Sequence, residues 1–167
     1  AEALEQVLEE GGSALANSAR AKGSDAGTVA LHVAAFGDSA TSIATLIKHG
    51  ARAERWARHG GTPLHVACLE GRSAAVRALL DGGAYVNSLT RCDVNADECD
   101  AGMTPLMAAS MQGHAKVVKL LLRAGADVTA EIDGREAIDG AHEALQGLRE
   151  YDYDGTSIGI DDREEDR

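Results

Sequence analysis

Apolar residues recur at i, i+3 and i+4 in two places along the chain: Val76, Leu79 and Leu80, then Val118, Leu121 and Leu122. That spacing lines three side chains along one face of a helix, which predicts two amphipathic helices with a buried stripe. A third apolar run, "IATLIKHGA" at 43–51, closes on Gly-Ala just as "VRALLDGGA" at 76–84 and "VVKLLLRAGA" at 117–126 do. Gly83 and Gly125 stand where a helix ending needs a left-handed residue. Ahead of each run lies a shorter, alanine-rich segment. "TPLHVACLEGR" begins at Thr62 and "TPLMAASMQGH" at Thr104, and Leu31-His32 in "GTVALHVAAFGD" stands 33 residues before Leu64-His65. Thr62 and Thr104 precede Pro63 and Pro105, so each threonine is placed to cap a helix whose first residue is proline. Ala67, Ala108 and Ala109 let neighbouring helices approach closely. The pattern therefore predicts helix, turn, helix, turn, repeated at a fixed period.

These segments resemble the ankyrin repeat, whose pattern runs G-x-T-P-L-H-x-A, then a glycine turn, then V-x-x-L-L-x-x-G-A. The match is close at 60–84 and 102–126 and looser at 27–51, where Ala30 replaces the proline and Asp38 the second glycine. "LEQVLEEGG" at 4–12 resembles the end of a preceding partial repeat, and "DGREAIDGAHEALQGL" at 133–148 a degenerate last one, with Gly134 in the glycine slot and Ile138 in the leucine slot. Atypical terminal repeats are expected, because the outer face of a solenoid must be polar. The resemblance implies an all-α ankyrin-repeat solenoid of helix pairs with protruding β-turn fingers. Its divisions are a partial repeat at 1–22, repeats at about 23–55, 56–97, 98–130 and 131–149, and an acidic, flexible tail at 150–167.

The resemblance also implies a function, the binding of another protein on the concave face formed by finger tips and first helices. Aligning the repeats puts Phe36, Leu69 and Met111 in one column of that face, followed by Gly37, Glu70 and Gln112. Three apolar residues in a column open to any side chain make a stripe of the kind partners cover; sealing against neighbouring helices is the competing reading. In the finger "RAERWARHGG" at 52–61, Trp56 falls where fingers are usually exposed, beside Arg55, Arg58 and His59. Exposed Trp and Arg are enriched in binding hot spots. Packing of Trp56 under the following finger is the other reading, and both stay open here. The resemblance further implies that His32 and His65 bond backbone in a neighbouring turn, a bond lost where Met107 takes their place, and Cys68 reads as a core residue.

Charge sharpens the partner. The chain carries a net charge of −11, and the last eighteen residues supply −6 of it through eight acids against two arginines. Nucleic acid and anionic membrane both require a basic face, so neither is expected as the main partner. Yet Lys48, Arg52, Arg55 and Arg58 stand against Glu54 alone, a local reversal that favours an acidic partner segment at the Trp56 finger. Three cysteines are too few for a secreted disulfide framework, and no apolar run approaches the ~20 residues of a membrane span. An intracellular setting, cytoplasmic or nuclear, is expected. The chain opens at Ala1 rather than at methionine, which leaves an organelle reached through a removed targeting peptide open.

Catalytic patterns are missing. No nucleophile elbow, phosphate-binding glycine loop or His-Glu-x-x-His occurs, so neither an enzyme nor a cofactor is expected. Two stretches have calcium-loop character. Asp93, Asn95 and Asp97 have the right spacing, but Glu98 stands where the turn glycine belongs and Thr104 where a bidentate glutamate belongs. "EYDYDGTSIGID" places Glu150, Asp152 and Asp154 at loop positions one, three and five, and Asp161 at twelve. A calcium-responsive ankyrin protein is thus the alternative function, and a regulatory segment of a larger protein a third. Cys92 and Cys99 lack a nearby histidine for zinc and read as free thiols. Leu64 to Leu106 spans 42 residues where Leu31 to Leu64 spans 33, so one finger is longer by nine. "AYVN" at 84–87 and "DVNA" at 93–96 compete for the same register within it.

Overall fold

A computed structural model describes residues 30–57, 60–91, 102–132 and 135–136 of the chain. Three helix pairs follow one another: α1 (Ala30–Phe36) with α2 (Ala40–Lys48), α3 (Pro63–Leu69) with α4 (Ser73–Asp81), and α5 (Pro105–Met111) with α6 (Ala115–Arg123). A two-residue antiparallel pair, β1 (Glu131–Ile132) and β2 (Arg135–Glu136), follows α6. The first helices stack in the order α1, α3, α5, and the second helices in the order α2, α4, α6. The expected all-α solenoid is what forms.

Stacking is set by the small residues of the first helices. Ala34, Ala67 and Ala109 share one column, and Ala35, Cys68 and Ser110 the next; all six are buried. Leu31, Leu64 and Leu106 fill the layer beneath them, essentially without exposure. Between the layers lie Ile43, Val76 and Val118 together with Leu46, Leu79 and Leu121, which bury the predicted stripe. The third member of each stripe is less covered: Leu80 and Leu122 are only partly buried. Burial pushes the Cys68 thiol well above its ordinary pKa, so it behaves as a small apolar side chain.

All six described helices end alike. The amide two residues past the helix cap bonds the carbonyl five positions back, as in Ala51 to Leu46, Ala84 to Leu79 and Arg72 to Ala67. Each such ending requires one left-handed residue. Five are glycines, and the sixth is Asp38, the only non-glycine residue with positive φ (53°) among those described. Its carboxylate compensates for that conformation. Oδ1 accepts the amide of Ala75 at 2.8 Å, in the first turn of α4, whose own capping residue Arg72 offers no side-chain bond. A residue of one repeat thus caps a helix of the next. His114 works in the other direction, donating from Nε2 to the Leu69 carbonyl at 2.9 Å.

Histidines zip first helices to fingers. His32 Nε2 donates to Gly61 O at 3.2 Å and His65 Nε2 to Met103 O at 3.0 Å. Because a carbonyl can only accept, both rings carry their proton on Nε2. His65 Nδ1 then accepts the Thr62 amide at 3.2 Å and faces the Thr62 hydroxyl at 2.9 Å. The two predicted caps therefore differ: Thr104 Oγ1 accepts the amide of Met107, while the Thr62 hydroxyl turns to the histidine.

Two outcomes follow from these bonds. Asp38→Ala keeps the left-handed strain and loses the cap, so it should lower unfolding free energy by about 1–2 kcal/mol in urea titrations. Asp38→Asn should stay within about 0.5 kcal/mol of the parent, because asparagine tolerates the conformation and can accept the same amide. Burial, first of all, holds the pKa of both His32 and His65 below the ordinary value. The unfolded chain therefore binds more protons, and the stability these rings contribute is present above about pH 6.5 and lost as pH falls below it. Urea midpoints measured from pH 7.5 to 5 should decline with a slope of at most about 1.4 kcal/mol per pH unit per histidine, and His65→Gln should flatten that slope.

Candidate protein-binding face

The helix-turn end of the first-helix layer carries the predicted column. Phe36 is 54% exposed, Leu69 40% and Met111 64%. Glu70 and Gln112 beside them are exposed as well. In each first helix the residue before the turn points away from the small-residue columns that stack, which leaves this position to solvent. Beside the stripe, the Arg72 guanidinium stands 5.8 Å from the Phe36 ring centre and 3.9 Å from the Glu70 carboxylate. Val33, one turn before Phe36, is exposed too and extends the apolar surface toward the fingers.

At the finger end the geometry bears on the two readings that the sequence leaves open for Trp56. Trp56 is half-buried. Its Nε1 donates to Leu89 O in the next finger at 3.2 Å, and the Arg91 guanidinium stacks over its ring at 3.9 Å from the centroid. Of the two readings left open by the sequence, packing against the following finger is the one the geometry supports. Trp56 and Leu89 are 33 residues apart and therefore equivalent positions, and it is Leu89 that is exposed. Arg55 is exposed and close enough to His32 to contribute to its lowered pKa, after burial. Arg58 and His59 lie outside the described residues.

Adjacent fingers are joined through backbone. Gly60 O accepts the Arg91 amide at 2.9 Å, and a Cβ on Gly60 would run into the Arg91 carbonyl. Gly60 also has φ of 79°, so both space and conformation exclude a side chain there. Glu54 Oε1 accepts the Tyr85 amide at 2.7 Å, and Asn87 Oδ1, again 33 residues on, accepts the Asp127 amide at 2.8 Å.

These bonds settle the register of the longer finger. Ala57 and Gly60 close the shorter hairpin through Gly60 N to Ala57 O and Ala57 N to Gly61 O. Thr90, Gly102 and Met103 repeat both bonds, at 3.0 Å each, and Thr90 Oγ1 adds a third from the Met103 amide at 2.9 Å. "AYVN" therefore occupies the finger register, with Asn87 in the coupling position. The nine added residues enter at the tip, between a closing base pair that is unchanged.

The remaining sequence candidates fall elsewhere. Glu150, Asp152, Asp154 and Asp161, like Asp93, Asn95, Asp97, Cys92 and Cys99, lie outside the described residues. Among the described residues, no group of three or more His, Cys, Asp or Glu side chains is placed to hold a metal, and no helix is long and apolar enough to cross a membrane. Arg91, Leu89, Asn87 and Glu54 were not among the candidates. The 33-residue spacing of Glu54 with Asn87 and of Trp56 with Leu89 was the signal that could have found them.

A stack of helix pairs with hydrogen-bonded fingers and an exposed first-helix stripe defines a helical repeat protein. A family model for ankyrin repeats in three copies matches residues 2–90, and one for a single ankyrin repeat matches 101–132. The chain belongs to the ankyrin-repeat family, whose repeats are generally protein-protein interaction modules and typically non-catalytic. A search of curated proteins finds no match.

The single tryptophan makes the finger junction measurable. Arg91→Ala should raise acrylamide quenching of Trp56 fluorescence and red-shift its emission, while leaving helical circular dichroism intact. Gly60→Ala should do the same and also lower stability by about 2 kcal/mol or more, since backbone must move.

Proposed function

We propose that this protein is a non-catalytic binding module, an adaptor, assembly factor or complex subunit. It holds a partner protein against the stripe of Phe36, Leu69 and Met111 and against the finger ends. The observation that carries this reading is the column of three equivalent apolar side chains left uncovered in three consecutive repeats. Covering a stripe of this size by a partner supplies hydrophobic contact, with Glu70 and Gln112 as a polar rim that sets orientation. The finger end adds charge. Arg55 and Arg91 are exposed in an otherwise acidic protein, which favours a partner segment bearing carboxylates. Trp56 contributes here as the platform that fixes Arg91 rather than as the anchor itself.

Affinity capture from native extract, followed by reconstitution with the identified protein, tests the reading. Phe36→Glu and Leu69→Glu change exposed positions and should each weaken partner binding by about tenfold or more, with helical circular dichroism unchanged. Undiminished binding by both variants would refute the face assignment.

A further inference from the structure

The binding face has cations set against apolar groups at both of its ends. Arg91 lies over Trp56 beside exposed Leu89 at the finger end, and Arg72 lies against Phe36 beside Leu69 at the helix-turn end. A seven-residue first helix, about 10 Å long at 1.5 Å per residue, lies between them, and a sideways step of one stacked helix, about 8–10 Å, adds to the separation. A segment that fits must alternate carboxylates with large apolar side chains over a short stretch.

The chain itself contains such a segment. Residues 150–167 carry −6 and interleave their acids with Tyr151, Tyr153, Ile158 and Ile160. Of the other acidic stretches, 92–100 has Val94 as its one large aliphatic residue, 2–10 (net −4) has Leu4, Val7 and Leu8 but lies in the part matched by the repeat model, and 131–143 (net −4) has Ile132 and Ile138; none has an aromatic. Charge complementarity alone would admit all of them; the greater charge and the two tyrosines select 150–167. We propose that residues 150–167 dock in cis on the face bounded by Arg91, Trp56, Phe36 and Leu69 and compete there with the partner. This rests on the binding-face reading above and adds its regulation.

Reach and affinity agree with a tethered competitor. Thirteen residues, 137–149, separate the segment from β2. They span up to about 45 Å extended and about 20 Å as helix. The Trp56 finger lies two repeats back, about 20 Å at 8–10 Å per stacked helix. Tethering at this length gives an effective concentration on the order of 1 mM, so a segment with Kd near 1 mM is about half docked. A partner of micromolar affinity or better displaces it. Exposed ion pairs are screened within ~8 Å at physiological salt, so docking must weaken as salt rises.

Trp56 reports the contact, because residues 150–167 contain no tryptophan. In the full chain, Asp152→Asn, Asp154→Asn, Asp161→Asn and Asp162→Asn together should raise the acrylamide quenching constant of Trp56, by up to about twofold for a half-docked segment. Parent protein in 0.5 M salt should rise toward the same value, and a synthetic peptide of residues 150–167 should lower it again when added to the neutralised variant. Equal quenching in parent and variant at low salt overturns the proposal, as does protection that grows with protein concentration, which would place the segment on a second copy. The two readings fail separately. If Phe36→Glu and Leu69→Glu abolish partner binding while neutralisation changes neither quenching nor partner affinity, only the competition is wrong. If neutralisation changes quenching but partner binding ignores both glutamate variants, the binding-face reading is wrong and the proposed competition falls with it.

Discussion

The stack depends on one kind of bond, a side chain of one repeat held by the backbone of a neighbouring repeat. A helix pair of seven and nine residues cannot bury its apolar stripe alone, and helices this short are marginal in water. Burial drives the repeats together but is indifferent to their exact register, since small side chains can slide. The directional bonds supply the register. His32 and His65 each reach a carbonyl at the root of the following finger, His114 reaches back to Leu69, and Asp38 reaches forward to Ala75. Buried donors without such partners would be costly, so a displaced repeat loses twice, once in contact and once in polar satisfaction.

The positions of this stack divide by what they do. Positions that stack are alanine, cysteine or serine, and positions that zip are histidine or aspartate. Phe36, Leu69 and Met111 do neither. They sit at the end of each first helix, where the backbone is already fixed by the helix ending, and each stays 40% exposed or more. An exposed apolar residue costs solubility, a cost that the proposed binding face would account for.

The repeat was legible in the sequence because it is written in backbone chemistry: Thr-Pro before a helix, Gly-Ala after one, and an apolar pair between. The same chemistry made the helix ends and the roles of His32 and His65 legible through the family resemblance. Asp38 was visible as a substitution in a glycine column, but its compensating bond crosses 37 residues and exists only once the repeats are stacked. Trp56 shows the same limit. Its type and position suggested exposure, whereas its anchor on Leu89 and its stacking with Arg91 depend on a finger whose register the sequence left ambiguous between "AYVN" and "DVNA". Spacing could find columns; it could not say which member of a column faces solvent.

The hairpin base at Thr90, Gly102 and Met103 has a consequence for how this protein can change. Eleven residues occupy a tip that holds two in the preceding finger, yet the closing bonds are the same. By loop-closure entropy, that lengthening costs only about 1.5 kcal/mol. Arg91 excepted, since its amide and guanidinium join the neighbouring finger, the added length leaves the closing bonds as they are, so the length of this turn is a cheap variable. A solenoid is usually altered by adding or losing whole repeats; this one has a second route, growth outward from a single sealed turn.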